Sequence, residues 1–386
     1  MVIYLKIFGI VIEANPFHNG LKYFIDIIKQ DYKPDVLIAV TSTSFSMRGE
    51  ISLIDKFDKT KILLENGIDI VLELPFTSAI QSADFFAKNS IKILSDIGVT
   101  DIIFGSETTN INLYETVYQI LEENKFNSKN LSKKNNFKLL LEKYCFNNND
   151  INTIESPNFT LGIQYIKFIK DNNLDINYHL LQRINNNYHD KVVNSNIASA
   201  TAIRTNFKKG LDINKLIPYN SDIFINIDNA ENNLFNIIKY NYKVNNNYIK
   251  TDFLLNEGIQ NYIHNNGDFN NNYYNFIEHL KNKKYTISTI CRSLLHNLLE
   301  TSDTNNQKNE YIRILGINNT GLDYIKSLNK TVKEKIFSSP KELEFKNNSE
   351  ISEILNYELK ATSLYEVITN KKILINEYKL PIRKDK

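Results

Sequence analysis

Gly9-Ile10-Val11-Ile12-Glu13-Ala14-Asn15-Pro16-Phe17-His18-Asn19-Gly20-Leu21 is the stretch on which the fold turns. An apolar run from Tyr4 to Ile12, broken only by Lys6, leads into it. A segment of helical spacing, Gly20–Lys29, leaves it with Leu21, Phe24, Ile25 and Ile28 on one face. A nearly continuous apolar strand predicts burial on both faces, as in a parallel sheet. Asn15-Pro16 sets a rigid turn, His18 projects from it, and Gly20 lets the backbone approach a ligand closely. The helix that starts near Asn19 would offer unpaired N–H groups and its positive dipole end to a phosphate. The same residues also read as an ordinary strand-to-helix loop whose histidine caps the helix.

Working outward, Asp35–Val40 reads as a second buried strand, followed by a polar loop, Thr41–Glu50. Leu53–Glu65 is a helix, Ile68–Leu72 a strand stopped by Pro75, and Ser82–Ser95 a helix. Asp101–Phe104 is a fourth strand running into Gly105-Ser106-Glu107. Alternation at this spacing predicts an α/β, Rossmann-like parallel sheet with right-handed crossovers, with ligands outside the carboxyl ends of the strands. Residues from about 110 to 145 look helical, then Pro157–Lys170 enters a helix, Ile176–Gln182 is a strand, and Ser199–Lys208 is a short helix ending at Gly210. Beyond that point the alternation fades into helical patches such as Thr286–Leu299 and Lys341–Thr369. Two domains are therefore expected, 1–210 and 211–386, the second mainly helical.

Composition narrows the function. A chain of 386 residues and 44.9 kDa suits two domains. Its 46 Lys+Arg against 44 Asp+Glu leave a charge of +2, which excludes a polybasic nucleic-acid binder overall but permits a local patch. With 42% hydrophobic residues, 22 Tyr and 22 Phe, disorder throughout is excluded. Two cysteines, Cys145 and Cys291, cannot build a disulfide framework or a cysteine-rich zinc site, and point to a reducing cytoplasm. Apolar runs all fall short of the roughly 18 residues that cross a bilayer, so no membrane contact is expected. Lys6, Glu13 and the lack of a small-residue cleavage site make the N-terminus a strand rather than a signal peptide. The oligomeric state is left open.

Only 6 Arg occur, at 48, 183, 204, 292, 313 and 383, against 57 Asn. In a background that fills tolerant positions with Lys and Asn, a retained Arg points to a need for its planar fork of donors. One of them closes a second segment, Ile197-Ala198-Ser199-Ala200-Thr201-Ala202-Ile203-Arg204. Ser199 and Thr201 can donate to phosphate oxygens and Arg204 can neutralise them, although an N-capped helix with a surface Arg has the same letters.

Together the two segments resemble the nucleotidyltransferase superfamily that carries an HxGH motif after its first strand and an ISSTxIR-like motif on a late helix. Further motifs follow in order: Arg48-Gly49-Glu50, Glu73-Leu74-Pro75, Phe104-Gly105-Ser106-Glu107, and Ser156-Pro157-Asn158 with Leu161-Gly162. Arg183 with Tyr188-His189-Asp190 comes next, and past residue 210 there are Lys284-Tyr285-Thr286, Arg292 and Tyr311–Gly316. The whole set is similar to the bacterial tRNA(Met) cytidine acetate ligase family over nearly the full chain.

The resemblance implies an enzyme that uses ATP to activate acetate as acetyl-adenylate and acetylates N4 of the wobble cytidine of elongator tRNA(Met). It implies His18, Ser199, Thr201 and Arg204 as the catalytic set, with Mg²⁺ sharing the phosphate charge and no protein metal ligands assigned. It maps ATP contacts onto Val11, Ile12, Glu13, Ala14, Asn15, Pro16, Phe17, His18, Asn19, Gly20, Leu21, Lys22, Tyr23 and Phe24. Gly105, Asn158, Arg183 and Ile184 complete that set, and the helical second domain would bind the tRNA. The chain departs from the family at Leu21, where the pattern reads HNGH, and at Ala14, where an aromatic is common. Loss of one transition-state donor typically lowers a rate by about 10²–10³. Two other readings are therefore kept: a nucleotide-binding relative with weakened catalysis, and a nucleotidyltransferase for a small cofactor precursor.

Overall fold

The structure, a computed structural model, describes residues 5–124, 141–144, 146–183, 196–245, 248–302, 311–342 and 349–384. Strand β1 (Ile7–Ile12) is followed by helix α1 (Asn19–Ile27), which runs on through a π-turn to Tyr32. Then come β2 (Val36–Ser42), the helix Lys56–Glu65, β3 (Ile70–Leu74), the helix Ala83–Asp96 and β4 (Asp101–Ser106). The helix Pro157–Asp171 leads to β5 (Asn177–Gln182). Strands β2 and β3 are buried along their whole length, which is why their sequences run apolar without alternation.

The order of these five strands in the sheet is β5-β4-β1-β2-β3. Strands β1 to β5 pair in parallel, β1 with β2 from Ile7 opposite Val36 to Ile12 opposite Thr41. The chain winds outward from β1 through β2 and β3, then crosses to the other side of β1 for β4 and β5. This reversal makes a crevice at the carboxyl ends of β1 and β4, the place where a doubly wound sheet binds its ligand. The expected α/β architecture is the observed one.

The sheet does not stop at residue 210. Strand β6 (Ile312–Asn318) lies antiparallel against β3, with Ile70 opposite Ile317, and carries β7 (Ile336–Phe337) and β8 (Ile382–Lys384) alongside it. Apart from these strands the described second half is helical, with Ile227–Lys243, Ile287–Leu299 and Ser349–Thr369 as its longest helices. One cluster of buried apolar side chains runs from Ile7 through Ile238 to Ile373, so the two halves share a core.

A buried charge network fastens that junction. Lys56 Nζ lies 3.2 Å from Glu73, 2.8 Å from Glu358 and 2.5 Å from Glu377. Arg313 of β6 spans Glu73 at 3.0 Å and Glu377 at 2.6 Å, and donates to the Ser338 and Glu377 carbonyls. Burial pushes the Glu73 carboxyl up to about 7 despite its two cations. Burial acts in the same direction on Glu377, yet Lys56 and Arg313 outweigh it and hold that carboxyl at about 2.

Candidate functional site

A cleft of about 290 Å³ opens at the β1/β4 crevice. Val11, Ile12 and Glu13 reach it from the end of β1, Phe104 and Gly105 from β4, and Leu181, Gln182 and Arg183 from β5. Two helices begin at its wall, and a third lines it with one face. His18 caps α1, Ser199 caps Ala200–Lys208, and Asn158 stands in the first turn of the helix that Ser156 caps. Neither of the first two helices has an acidic residue in its first turn. The opening amides of α1 are taken up by Leu216 and His18, so what these two helix ends offer a polyanion is the positive end of their dipoles.

His18 serves both of the roles its sequence allowed. Its Nδ1 accepts the Gly20 N–H at 3.1 Å, which caps α1, while the ring also lines the cleft. With Nδ1 accepting, the proton of the neutral ring sits on Nε2, a donor for a ligand oxygen. Burial, helped by the positive charges of Arg183 and Arg204, lowers its pKa to about 4. His18 is thus a neutral donor at physiological pH rather than a cation.

The rest of the Glu13–Phe24 stretch divides in two. Glu13, His18, Gly20, Leu21, Tyr23 and Phe24 line the cleft. Ala14, Asn15, Pro16 and Phe17 are buried beneath it and shape the turn. Ala14 takes a φ of 47°, unusual for a residue with a Cβ. Asn15 accepts from the Leu53 N–H at 2.9 Å and donates to the Ile51 carbonyl at 3.3 Å. Asn19 bonds the Asn196 and Lys215 carbonyls at 2.8 Å, and Tyr219 donates to the Phe17 carbonyl. Lys22 pairs with Asp26 one helical turn on and is not a cleft residue. Glu13 accepts the Met47 N–H, and burial raises its pKa.

In the second motif the cap and the two residues before it reach the cleft. The Ser199 hydroxyl accepts the Ala202 N–H at 3.2 Å and lines the cavity with Ile197 and Ala198. Thr201 and Arg204 lie beside it. Arg204 donates to the Asn15 carbonyl at 2.7 Å and to Thr201 Oγ1 at 3.3 Å, and pairs with Glu50 at 2.8 Å. Its guanidinium braces the turn that carries His18.

At the other end, Arg183 Nη1 donates to Asn158 Oδ1 at 3.1 Å. A Cβ on Gly105 would come within 3.4 Å of the Arg183 stem, so the glycine keeps this wall thin. Leu161 and Tyr165 line the cleft too and were missed by sequence reading, although Asn158, Leu161 and Tyr165 recur at spacings of 3 and 4 on one helix face. Ile184, His189 and Asp190 lie outside the described residues.

Leu21 presents an aliphatic side chain to the cleft and packs against the core, where the family motif has its second imidazole. Among the described residues, no group of three His, Cys, Asp or Glu is placed to hold a metal. Both Glu107 oxygens are engaged by Ser156 and Asn158, and Asp84 accepts from Ser82. No helix of the described chain is long and apolar enough to cross a membrane.

The profile of the HIGH Nucleotidyl Transferase family matches residues 5–379. The tRNA(Met) cytidine acetate ligase of Thermosipho africanus is 33% identical over 365 residues, covering 87% of this chain and 85% of the relative. That of Caldicellulosiruptor saccharolyticus is 31% identical over 388 residues, covering 94% of each. Thermotoga maritima TmcAL in its apo form superposes with a TM-score of 0.84 at 28% identity, covering 99% of this chain and 100% of that one. The same protein bound with alpha-thio ATP gives 0.81 at 27% identity, with the same coverage. On a profile match across nearly the whole chain and relatives above 30% identity, this chain belongs to the HIGH nucleotidyl transferases and, within them, to the tRNA(Met) cytidine acetate ligases.

Proposed function

We propose that this chain is an ATP-dependent ligase that acetylates N4 of the wobble cytidine of elongator tRNA(Met). The observation that carries the reading is the cleft itself, a site at the sheet's switch point lined by the starts of two helices, Arg183 and a neutral His18. The ligases it resembles match it over most of their length, and a neighbouring structure of the same fold holds an ATP analogue.

In the first step an acetate oxygen attacks the α-phosphorus. The bond from that phosphorus to the bridging α–β oxygen breaks, and pyrophosphate leaves with the electron pair. No protein nucleophile is required, so the site works by positioning and by stabilising the charge that builds on phosphate. His18 Nε2–H, the Ser199 hydroxyl and Arg183 supply donors, while Arg204 keeps the His18 turn in place and adds positive charge. In the second step the cytidine N4 amine attacks the acetyl carbonyl, loses a proton, and AMP leaves. The carboxyl groups of the described site do not form a cage for Mg²⁺, and no step is assigned to it. Residues 211–386 are proposed to receive the tRNA. Lys284 and Arg292 of the motifs past residue 210, and Lys371, bond the Glu257, Met47 and Ile223 carbonyls, so they shape that half before they touch RNA.

Incubating the protein with ATP, labelled acetate and total tRNA tests the reading, with acetylcytidine in the RNA as the expected product. Binding to the tRNA should weaken steeply as salt rises. ATP binding without either adenylate or acetylated RNA would favour the second reading, a nucleotide-binding relative, for which Leu21 is the motivating observation.

A further inference from the structure

We propose that Glu107 is a positioning residue that sets the base specificity of the nucleotide cleft, by fixing the Asn158 amide with its oxygen free to accept from a 6-aminopurine. This rests on the reading of the cleft as a nucleoside triphosphate site. Glu107 follows the last residue of β4, two positions beyond Gly105, and is fully engaged. One carboxylate oxygen accepts Asn158 Nδ2 at 2.6 Å, the other accepts Ser156 Oγ at 2.7 Å, and its main-chain carbonyl accepts Gln182 Nε2 at 2.9 Å. On its far side the Asn158 amide accepts Arg183 Nη1 at 3.1 Å.

These partners leave the amide one orientation. A carboxylate oxygen that takes a hydrogen bond from an amide can only face its nitrogen, and a guanidinium, which only donates, can only face its oxygen. Asn158 is a cleft residue, and one lone pair of its Oδ1 remains after Arg183 is served. The oxygen side of the amide therefore presents a fixed acceptor, while Nδ2, with one hydrogen on Glu107, keeps to the side of that carboxylate. The neighbouring walls, Phe104, Leu161, Tyr165 and Leu181, are the apolar surfaces a base would occupy. Adenine carries a donor at position 6, whereas guanine and hypoxanthine carry an acceptor there. An oxygen held in place accepts from the first and faces the second lone pair to lone pair. An amide free to flip would accommodate both.

Calorimetry on the full chain with ATP and inosine triphosphate tests this, after thermal melting has shown each variant folded. The wild-type protein should bind ATP at least tenfold more tightly than inosine triphosphate, since two acceptors held face to face leave both groups unpaired. Glu107→Ala should lower the ratio severalfold, Arg183 alone then orienting the amide, and Glu107→Gln, which still offers an acceptor to the amide nitrogen, should restore most of it. Glu107→Met, similar in volume but without the acceptors, carries the same expectation as Glu107→Ala should the smaller residue unfold the chain. A residue that only holds the fold would weaken both nucleotides alike and leave the ratio unchanged. An unchanged ratio in the Ala or Met variant, or equal binding of the two nucleotides by wild type, overturns the proposal and would mean that Arg183 reads the base. If no triphosphate binds to wild type, the nucleotide reading fails first and takes this one with it.

Discussion

The Arg204 guanidinium lies 2.8 Å from the Glu50 carboxylate while its other terminal nitrogen donates to the Asn15 carbonyl at 2.7 Å. One side chain from the late motif thus holds two loops of the first: the turn that presents His18, and the Arg48-Gly49-Glu50 loop. The second loop is itself pinned. Gly49 has a φ of 76°, and a Cβ there would come within 2.8 Å of the Cys291 and Arg292 backbone on the helix Ile287–Leu299. The nucleotide turn is in this way connected to the second half of the chain.

Removing that brace should loosen nucleotide binding. Arg204→Ala is expected to weaken ATP binding or turnover at least tenfold, and Arg204→Lys should recover only part of it, because an ammonium cannot span Asn15 and Glu50 as the planar fork does. Glu50→Gln should have the opposite sign. Without the competing carboxylate, Arg204 is freer to face phosphate, and ATP affinity should rise up to about fivefold, the size of a half-exposed ion pair. Calorimetric titration of the three variants checks both directions, and unchanged affinity in all of them would remove Arg204 from the site.

His18 makes a prediction about pH. Its pKa of about 4, set by burial and then by Arg183 and Arg204, keeps the ring neutral from pH 5 upward. Any step in ATP affinity near 6.5, the ordinary value for histidine, should therefore come from the terminal phosphate of ATP and persist in His18→Ala, the ring itself adding a change only as pH falls towards 4. His18→Ala should weaken ATP binding or turnover at least tenfold at neutral pH. A step centred on 6.5 that vanishes in His18→Ala would show that the ring titrates normally.

His296 reports on stability in acid. It is fully buried, with Nδ1 at 2.8 Å from Thr301 Oγ1 and Nε2 at 2.7 Å from the Ile80 carbonyl, and burial lowers its pKa to about 3. Between about 3 and 6.5 the unfolded chain binds a proton that the folded chain does not. Stability contributed by this site is therefore complete above 6.5 and is lost as pH falls, by up to about 1.4 kcal/mol per pH unit. Denaturant melts across pH 4 to 7 should have a shallower slope in a folded His296→Gln variant than in wild type.

The charge network at β6 should behave as a buried network does when one partner is taken away. Arg313→Met leaves Glu73 and Glu377 facing Lys56 alone, and should destabilise the chain by about 3–5 kcal/mol. Since Arg313 belongs to the second half and Glu73 to the first, the whole sheet should melt earlier in one transition. Separate melting of the two halves would show that the shared core does not couple them.

The parts of this fold that are local in sequence were legible there, and the parts that are distant were not. Strands β1 to β5 announce themselves as apolar runs between helical segments. Pairing carries β2, β3 and β4 past their expected ends, as at Gly105 opposite Leu181 and Ser106 opposite Gln182. By contrast, β1, β2, β3 and β5 begin at Ile7, Val36, Ile70 and Asn177, later than their apolar runs. Strand β6 was not foreseen as part of the sheet, because its partner β3 lies some 240 positions earlier and no local period reveals an antiparallel edge. The site shows the same division. Motif order brought His18, Gly105, Asn158, Arg183 and Ser199 to one cleft. The position of Arg204 behind the turn depended on Glu50 and Asn15, contacts no spacing rule contains.

Leu21 bears the sharpest prediction. It occupies the motif position of the second imidazole, lines the cleft, and packs on the core from α1. If the missing donor limits phosphate chemistry, Leu21→His should raise the rate of acetate-dependent ATP–pyrophosphate exchange. The gain should appear in kcat rather than in KM, because a contact made only to charge developing in the transition state leaves ground-state affinity alone. Its upper bound is the 10²–10³ or so that such a donor contributes elsewhere. A polar ring replaces a half-buried leucine here, so thermal melting comes first and a folded, ATP-binding variant is the one to assay. A gain identifies position 21 as the limiting gap in the site. No gain in a folded variant, with measurable wild-type acetylation, means that the remaining donors, His18, Ser199 and Arg183, already do the work of the absent ring. No gain and a silent wild type would place this chain among nucleotide-binding relatives that have lost the chemistry.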